Sequence, residues 1–365
     1  MKLSTNPAAG KKKWNSKSVL LVAIGCLLVF GAVNYEYVFP QEVYEAKAGA
    51  KKEAAFQKIS TIVAPPALDK EAYDRKSEQL ANYASTTSTT TPRLWPVKTV
   101  YPNAGAILPF KRVIAYYGNL YSTRMGALGE YPEAEMLSRL KAEVNRWEAA
   151  DPTTPVVPAL HYIAVTAQGS AGEDGKYRLR MPDSEIDKVL KMAEKINAIV
   201  FLDIQVGLST LQAELPVYEK YFKMPNVHLG IDPEFSMKTG KKPGSVIGTF
   251  DAADINYAAE YLAKLVKENN LPPKILVIHR FTQPMVTNYR QIRPLPEVQI
   301  VMHMDGWGGV AEKIGTYNAF IAPQPVQFTG FKLFYKNDFR LPGTRIMTPA
   351  EILRLQPQPI YIQYQ

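Results

Sequence analysis

From Arg112 to the last residue, short apolar and β-branched runs alternate with amphipathic stretches of helical period, and this alternation constrains the fold more than any other feature. Apolar runs at 112–117, 155–161, 198–203, 227–232, 245–249, 274–279, 298–303 and 329–335 read as strands. Helical patterns fall at about 133–150, 183–197, 209–223, 252–270 and 309–321, with a short one near 348–355. Continuous apolar strands separated by helices belong to a parallel sheet covered on both faces. Eight such units in roughly 250 residues predict an α/β fold of the (β/α)8 TIM-barrel type over 112–365. An open doubly wound sheet is the alternative, but it would carry a phosphate-binding glycine turn after its first strand, and YYGNLYSTRMG is not one. The stretch SMKTGKKPG between the fourth and fifth runs is too rich in Gly, Pro and Lys for a helix. That unit is therefore abbreviated, or the strand at 245–249 is misassigned.

The chain before the barrel reads as an anchor and a stalk. Its formal charge is +9, and five lysines (Lys2, Lys11, Lys12, Lys13, Lys17) lie before residue 18 with no acid among them, so the remainder carries only +4. The excess is thus a topology signal and not the footprint of a nucleic-acid partner. Ser18–Val33 contains no charge, Trp14, Tyr35, Tyr37 and Phe39 flank it, and basic residues precede it. We read 1–17 as a cytoplasmic tail and 18–39 as a transmembrane signal anchor of a bacterial cell membrane, with the rest extracytoplasmic. Cys26, the only cysteine, excludes an internal disulfide framework. The preceding Ala23-Ile24-Gly25 loosely matches a lipobox, but the apolar run continues past the cysteine, which favours an uncleaved anchor. Residues 40–111 read as a stalk: helical stretches broken at Pro65-Pro66, then the low-complexity run Ser85–Thr91.

Acids recur where predicted strands emerge: Asp203 in AIVFLDIQ, Asp232 and Glu234 in VHLGIDPEF, Asp305 in VQIVMHMDGWGG. In a parallel barrel these ends converge on one mouth. Residues two apart on a strand share a face, so Asp232 and Glu234 would crowd two like charges and raise one pKa, which keeps a general acid protonated. The bland alternative is that Asp232 caps the following turn. Gln205 lies two residues after Asp203. Trp307, among Gly306, Gly308 and Gly309, suits stacking on a sugar ring. His161, His279 and His303 fall at or near strand ends, His228 early in its strand. Tyr116, Tyr117, Lys332 and Tyr335 end the first and last predicted strands, with at least one of them expected in the core. No nucleotide fingerprint, Walker motif or zinc-ligand pair occurs, and neither a cofactor nor a metal is expected.

The runs VIAYYGN, MGALGE, PVVPALHYIAVTAQ, FLDIQVG, LGIDPEF, LVIHRFT, MDGWG, GFKLFYKND and MTPAEILRLQPQPIYIQYQ resemble those of a family of bacterial extracytoplasmic proteins, many of them lipoproteins, with a glycoside-hydrolase-like barrel. The resemblance covers about two thirds of the chain and implies the barrel more firmly than the reaction. Together these features predict a membrane-tethered glycoside hydrolase acting on a cell-envelope or extracellular polysaccharide. Glu234 would be the general acid, Asp305 or Asp203 the nucleophile or base, and Asp232 the group that tunes Glu234. Tyr116, His161, Gln205, His279, Trp307, Lys332 and Tyr335 would line the substrate site. A non-catalytic glycan-binding barrel is the second reading. A metal-dependent hydrolase using Asp203, Asp232, Glu234 and His279 is the third.

Overall fold

A computed structural model of the chain describes residues 66–83 and 93–365. Eight parallel strands form a closed ring: β1 (Arg112–Gly118), β2 (Val156–Ala167), β3 (Ile199–Ile204), β4 (Val227–Ile231), β5 (Lys274–Arg280), β6 (Val298–Met304), β7 (Phe328–Leu333) and β8 (Tyr361–Tyr364). Each pairs with the next, and β1 pairs with both β2 and β8, which closes the barrel. Helices α1 (Lys70–Ala81), α2 (Glu133–Ala150), α3 (Asp183–Glu194), α4 (Ala252–Asn269) and α5 (Val310–Phe320) are the longer ones. In α2, Met136, Leu137, Leu140 and Trp147 fall on one face and are buried, as a 3.6-residue period requires. Asp251 and Asp254 form a capping box that starts α4, and Asn270 ends it in the left-handed conformation.

Two expected elements differ. Residues 245–249 are not a barrel strand; the eighth strand is instead Tyr361–Tyr364. The helical pattern at 209–223 is broken into Leu211–Glu214, a 3-10 turn Leu215–Tyr218 and Glu219–Phe222, because Pro216 supplies no N–H to a continuous helix.

The barrel interior is graded from apolar to polar. Its lower half holds Val113, Ala115, Ala159, Ile199, Phe201, Ile275, Val277, Val301 and Phe328 in one cluster with Tyr73, Leu80 and Leu108. The last three precede β1, so α1 and the segment after it plug the face at the strands' amino ends. Lys76 donates to the Thr153 carbonyl at 2.8 Å, Trp95 Nε1 to that of Ala322 at 2.8 Å, and Gln299 bonds both the N–H and the carbonyl of Leu108. Residues 66–83 and 93–111 of the expected stalk therefore pack on the barrel. The expected tail, the membrane span with Cys26, and the Ser85–Thr91 run lie outside the described residues. Among the described residues no helix is long and apolar enough to cross a membrane.

Candidate active site

The upper half of the barrel interior, at the carboxyl ends of the strands, is polar. Asp203 on β3 is wholly enclosed. One of its oxygens accepts from the Tyr117 hydroxyl at 2.8 Å, and the other lies 3.3 Å from His161 Nε2 and 3.4 Å from His279 Nε2. The opposite nitrogen of His279 meets Asp305 at 2.8 Å, and the Lys332 ammonium meets the other oxygen of Asp305 at 2.9 Å. Lys332 also stands 3.9 Å from the centroid of the Tyr117 ring. Room for this crowding comes from Gly230, paired with Asp203 in register on β4: a Cβ there would lie 2.4 Å from both Asp203 Oδ1 and His161 Nε2.

These contacts sort the carboxyl groups into two kinds. Burial would raise all of them, since it penalises charge. For Asp305, the attraction of Lys332 and His279 overcomes burial and holds the carboxyl well below its ordinary range. For Asp203, the two histidines do the same, His279 foremost. Asp232 and Glu234 lack such a partner. Burial first, then the charges of Asp203 and Asp305, push Asp232 up to about 7, and burial together with Asp232 and Asp305 pushes Glu234 well above its usual value. His279 is driven up to about 10 by Asp203 and Asp305 against the cost of burial. Burial alone dominates at His161, lowered to about 4, and at His303, lowered well below the ordinary imidazole value.

Asp232 does cap the next turn: its side chain accepts from the Glu234 N–H at 3.0 Å. It also faces the Gln205 amide, 3.4 Å away, so capping and crowding beside Glu234 coexist. The residues expected as a fifth strand support this turn from outside. Gly248 donates to the Glu234 carbonyl at 2.7 Å, and a Cβ at Gly248 would lie 2.5–2.7 Å from the carbonyls of Pro233, Ser236 and Glu234. Trp307 is half-buried, with the Arg340 guanidinium over its ring. Its loop is pinned by the buried Lys313–Asp338 pair, since Lys313 also bonds the Gly306 carbonyl and Asp338 accepts from the Gly308 N–H.

The structure thus gathers Asp203, Asp232, Glu234, Asp305, Gln205, His161, His279 and Lys332. It separates Tyr116 and Tyr335 from them. Their hydroxyls meet at 3.0 Å, Tyr335 donates to Glu143 of α2 at 2.8 Å and stacks on Tyr364, so both belong between the barrel wall and the helices. Asp203, considered as a base, has no solvent exposure, whereas Glu234 retains 8% and Asp305 9%. His228 is structural, as expected, accepting from the Ile275 N–H. Three contributors were not singled out beforehand: Tyr361 and Gln363, which bond His161 from the unforeseen β8, and Gly230. The alternation in IYIQYQ was the available signal.

His161, Asp203 and His279 bring three donor atoms within 4.8 Å of one another, the one candidate metal-binding group among the described residues. The fit is poor. The three atoms hold no hydrogen bond, but the Asp203 oxygen already lies within ion-pair distance of both imidazoles, the nearby Lys332 cation stays paired to Asp305, and the β4 backbone at Gly230 flanks the oxygen–nitrogen edge a metal would share.

No family model and no curated protein matches the chain. Among solved structures it is similar to a cellulase, at 13% identity and a TM-score of 0.35, over 60% of this chain and 65% of that one. A ruminal endo-β-1,4-mannanase matches at 12% and 0.34, over 76% of this chain and 66% of that one. The dihydropteroate synthase of Burkholderia cenocepacia matches at 12% and 0.33, over 70% and 86%. Glycoside hydrolases thus stand among the neighbours beside an enzyme of unrelated chemistry, and likeness this shallow carries no argument about activity.

Proposed function

We propose that the barrel mouth is a carboxylate acid/base site that cleaves glycosidic bonds in a cell-envelope or extracellular polysaccharide. The observation that carries this reading is the unequal company of two buried carboxyl groups: Asp305 contacts His279 at 2.8 Å and Lys332 at 2.9 Å, which favours its ionised form, whereas burial beside Asp232 and Asp305 pushes Glu234 toward its acid form. Glycoside hydrolysis needs such a pair, one group to protonate the leaving oxygen and one to attack the sugar or activate water. In this reading Glu234 is the general acid, Asp305 the nucleophile or base, Asp232 the group that tunes Glu234, and Trp307 a stacking face for the sugar. Ser18–Val33 would tether the barrel outside a bacterial membrane.

Release of reducing ends from envelope glycans, measured beside glycan binding for wild type and Glu234→Gln, tests the assignment. Glu234→Gln is expected to remove turnover, by a factor of about 10² or more, with binding retained. Tight binding by wild type with no sugar released from any envelope glycan sinks the enzyme in favour of a binding barrel. That second reading has its own support in the small exposure of Glu234 and Asp305.

A further inference from the structure

We infer that His279 is a permanent, doubly protonated bridge between a sealed carboxylate, Asp203, and the carboxylate at the mouth, Asp305, which makes Asp203 a positioning residue that acts through His279. This rests on the acid/base reading for its purpose, but its geometry stands apart from any substrate. Nδ1 of His279 meets an Asp305 oxygen at 2.8 Å and Nε2 faces an Asp203 oxygen at 3.4 Å. An ionised carboxylate only accepts, so the Nδ1 that hydrogen-bonds Asp305 carries a hydrogen; Nε2 makes no hydrogen bond to Asp203, but a carboxylate 3.4 Å away attracts a ring that is protonated there and repels a bare lone pair.

Asp203 has no need of a proton of its own. Tyr117 donates to one oxygen at 2.8 Å. On the other side the tautomer of His161 is set from below. Its Nδ1 accepts from the Gln363 amide at 3.1 Å and faces the Tyr361 hydroxyl at 2.6 Å, so the hydrogen sits on Nε2, which lies 3.3 Å from an Asp203 oxygen without a hydrogen bond to it. Around His279 stand Tyr117 from β1, His161 from β2, Asp203 from β3, Asp232 beyond β4, His303 from β6 with Asp305 just past its end, and Lys332 from β7. Of these only Lys332 is a competing cation, and it is paired to Asp305. His279 is therefore no proton shuttle. It fixes the position and charge of Asp305 by a link that runs through the barrel to Asp203, and a substrate at the mouth meets Asp305 and not the imidazole.

The test is side-chain nitrogen NMR of the full chain labelled at its four histidines, from pH 6 to 9. One ring is expected to keep both nitrogens protonated throughout. Asp203→Asn should lower the midpoint of that ring by roughly one pH unit or more, whereas Tyr117→Phe, which leaves both carboxylates facing it, should keep it doubly protonated at pH 7. A wild-type spectrum in which every ring is neutral at pH 8 overturns the proposal without bearing on turnover, and loss of the glycosidase reading leaves this spectrum unchanged. Zinc added at one equivalent is expected to move no ring signal. Loss of the Nε2 hydrogen from two rings together would overturn the proposal in favour of a metal held by His161, Asp203 and His279.

Discussion

Replacing Gly230 by alanine tests the packing on which the whole site depends. The new Cβ would stand 2.4 Å from Asp203 Oδ1, 2.4 Å from His161 Nε2 and 2.7 Å from His161 Cε1, about 1 Å inside ordinary non-bonded separation. Neither neighbour can recede freely. Asp203 is held by its 2.8 Å bond from Tyr117, and His161 by its bond to Tyr361 and by stacking on Phe201 with ring centroids 5.0 Å apart. Overpacking a rigid core costs about 1–3 kcal/mol, and losing a hydrogen bond to a buried charge about 1.5–3 kcal/mol. Gly230→Ala should therefore destabilise the protein by about 2.5–6 kcal/mol, read from the urea midpoint at constant slope. Gly330→Ala is the internal comparison. Its Cβ would lie 2.5 Å from His303 Nδ1 and 3.0 Å from the Tyr361 carbonyl, but neither nitrogen of that ring holds a hydrogen bond to lose, so only the overpacking cost of about 1–3 kcal/mol applies. A Gly230→Ala loss below about 1 kcal/mol, or one no larger than that of Gly330→Ala, would refute the crowding of Asp203 and His161 against β4.

Stability should also depend on pH through His279. Its folded pKa of about 10 lies above the ordinary 6.5, so its contribution is fully present below pH 6.5 and is lost as the pH rises through about 10. Urea midpoints taken from pH 6.5 to 10 should fall for wild type and fall less for His279→Gln; equal slopes would contradict the bridge. Trp95→Ala should cost about 3–5 kcal/mol and leave the histidine spectrum unchanged, because Trp95 is buried at the barrel's lower face and bonds the Ala322 carbonyl. A loss under about 1 kcal/mol would contradict the packing of this segment on the barrel.

The elements with a strong period of their own were legible in the sequence. Helix α2 begins and ends where Met136, Leu140 and Trp147 imply, and β5 and β6 were plain from their continuous apolar runs. Ser245–Thr249 misled because Val246 and Ile247 favour strands, whereas Gly248 is there to let the chain lie against the carbonyls of the Asp232–Glu234 turn. Tyr361–Tyr364 was missed because four residues after Pro357 and Pro359 give little periodicity. For the site, a period of two tells which side of a strand a residue takes relative to its neighbours, but not which side is the lumen. Tyr116 and Tyr117 adjoin in sequence, and only the register with β2 and β8 puts Tyr117 inward beside Asp203 and Tyr116 outward beside Tyr335. Nor does alternation give depth. Asp203 and Asp305 both end strands, yet the first is sealed and the second reaches the mouth.

Depth and charge together explain how four carboxyl groups in one low-dielectric enclosure divide their labour. Charges buried this closely must nearly cancel, because an uncompensated carboxylate away from water is costly. The lumen supplies two cations, His279 and Lys332, and both are committed by direct contact, to Asp203 and Asp305. Two ionised carboxylates exhaust that supply. Asp232 has a backbone N–H and an amide for company, Glu234 has no cation in contact among the described residues, and for both the proton is the remaining source of neutrality. Which of these carboxyl groups is held ionised and which is pushed toward its protonated form is thus set by where two strands away from the turn, β5 and β7, place their positive side chains, more than by anything local to Asp232-Pro233-Glu234.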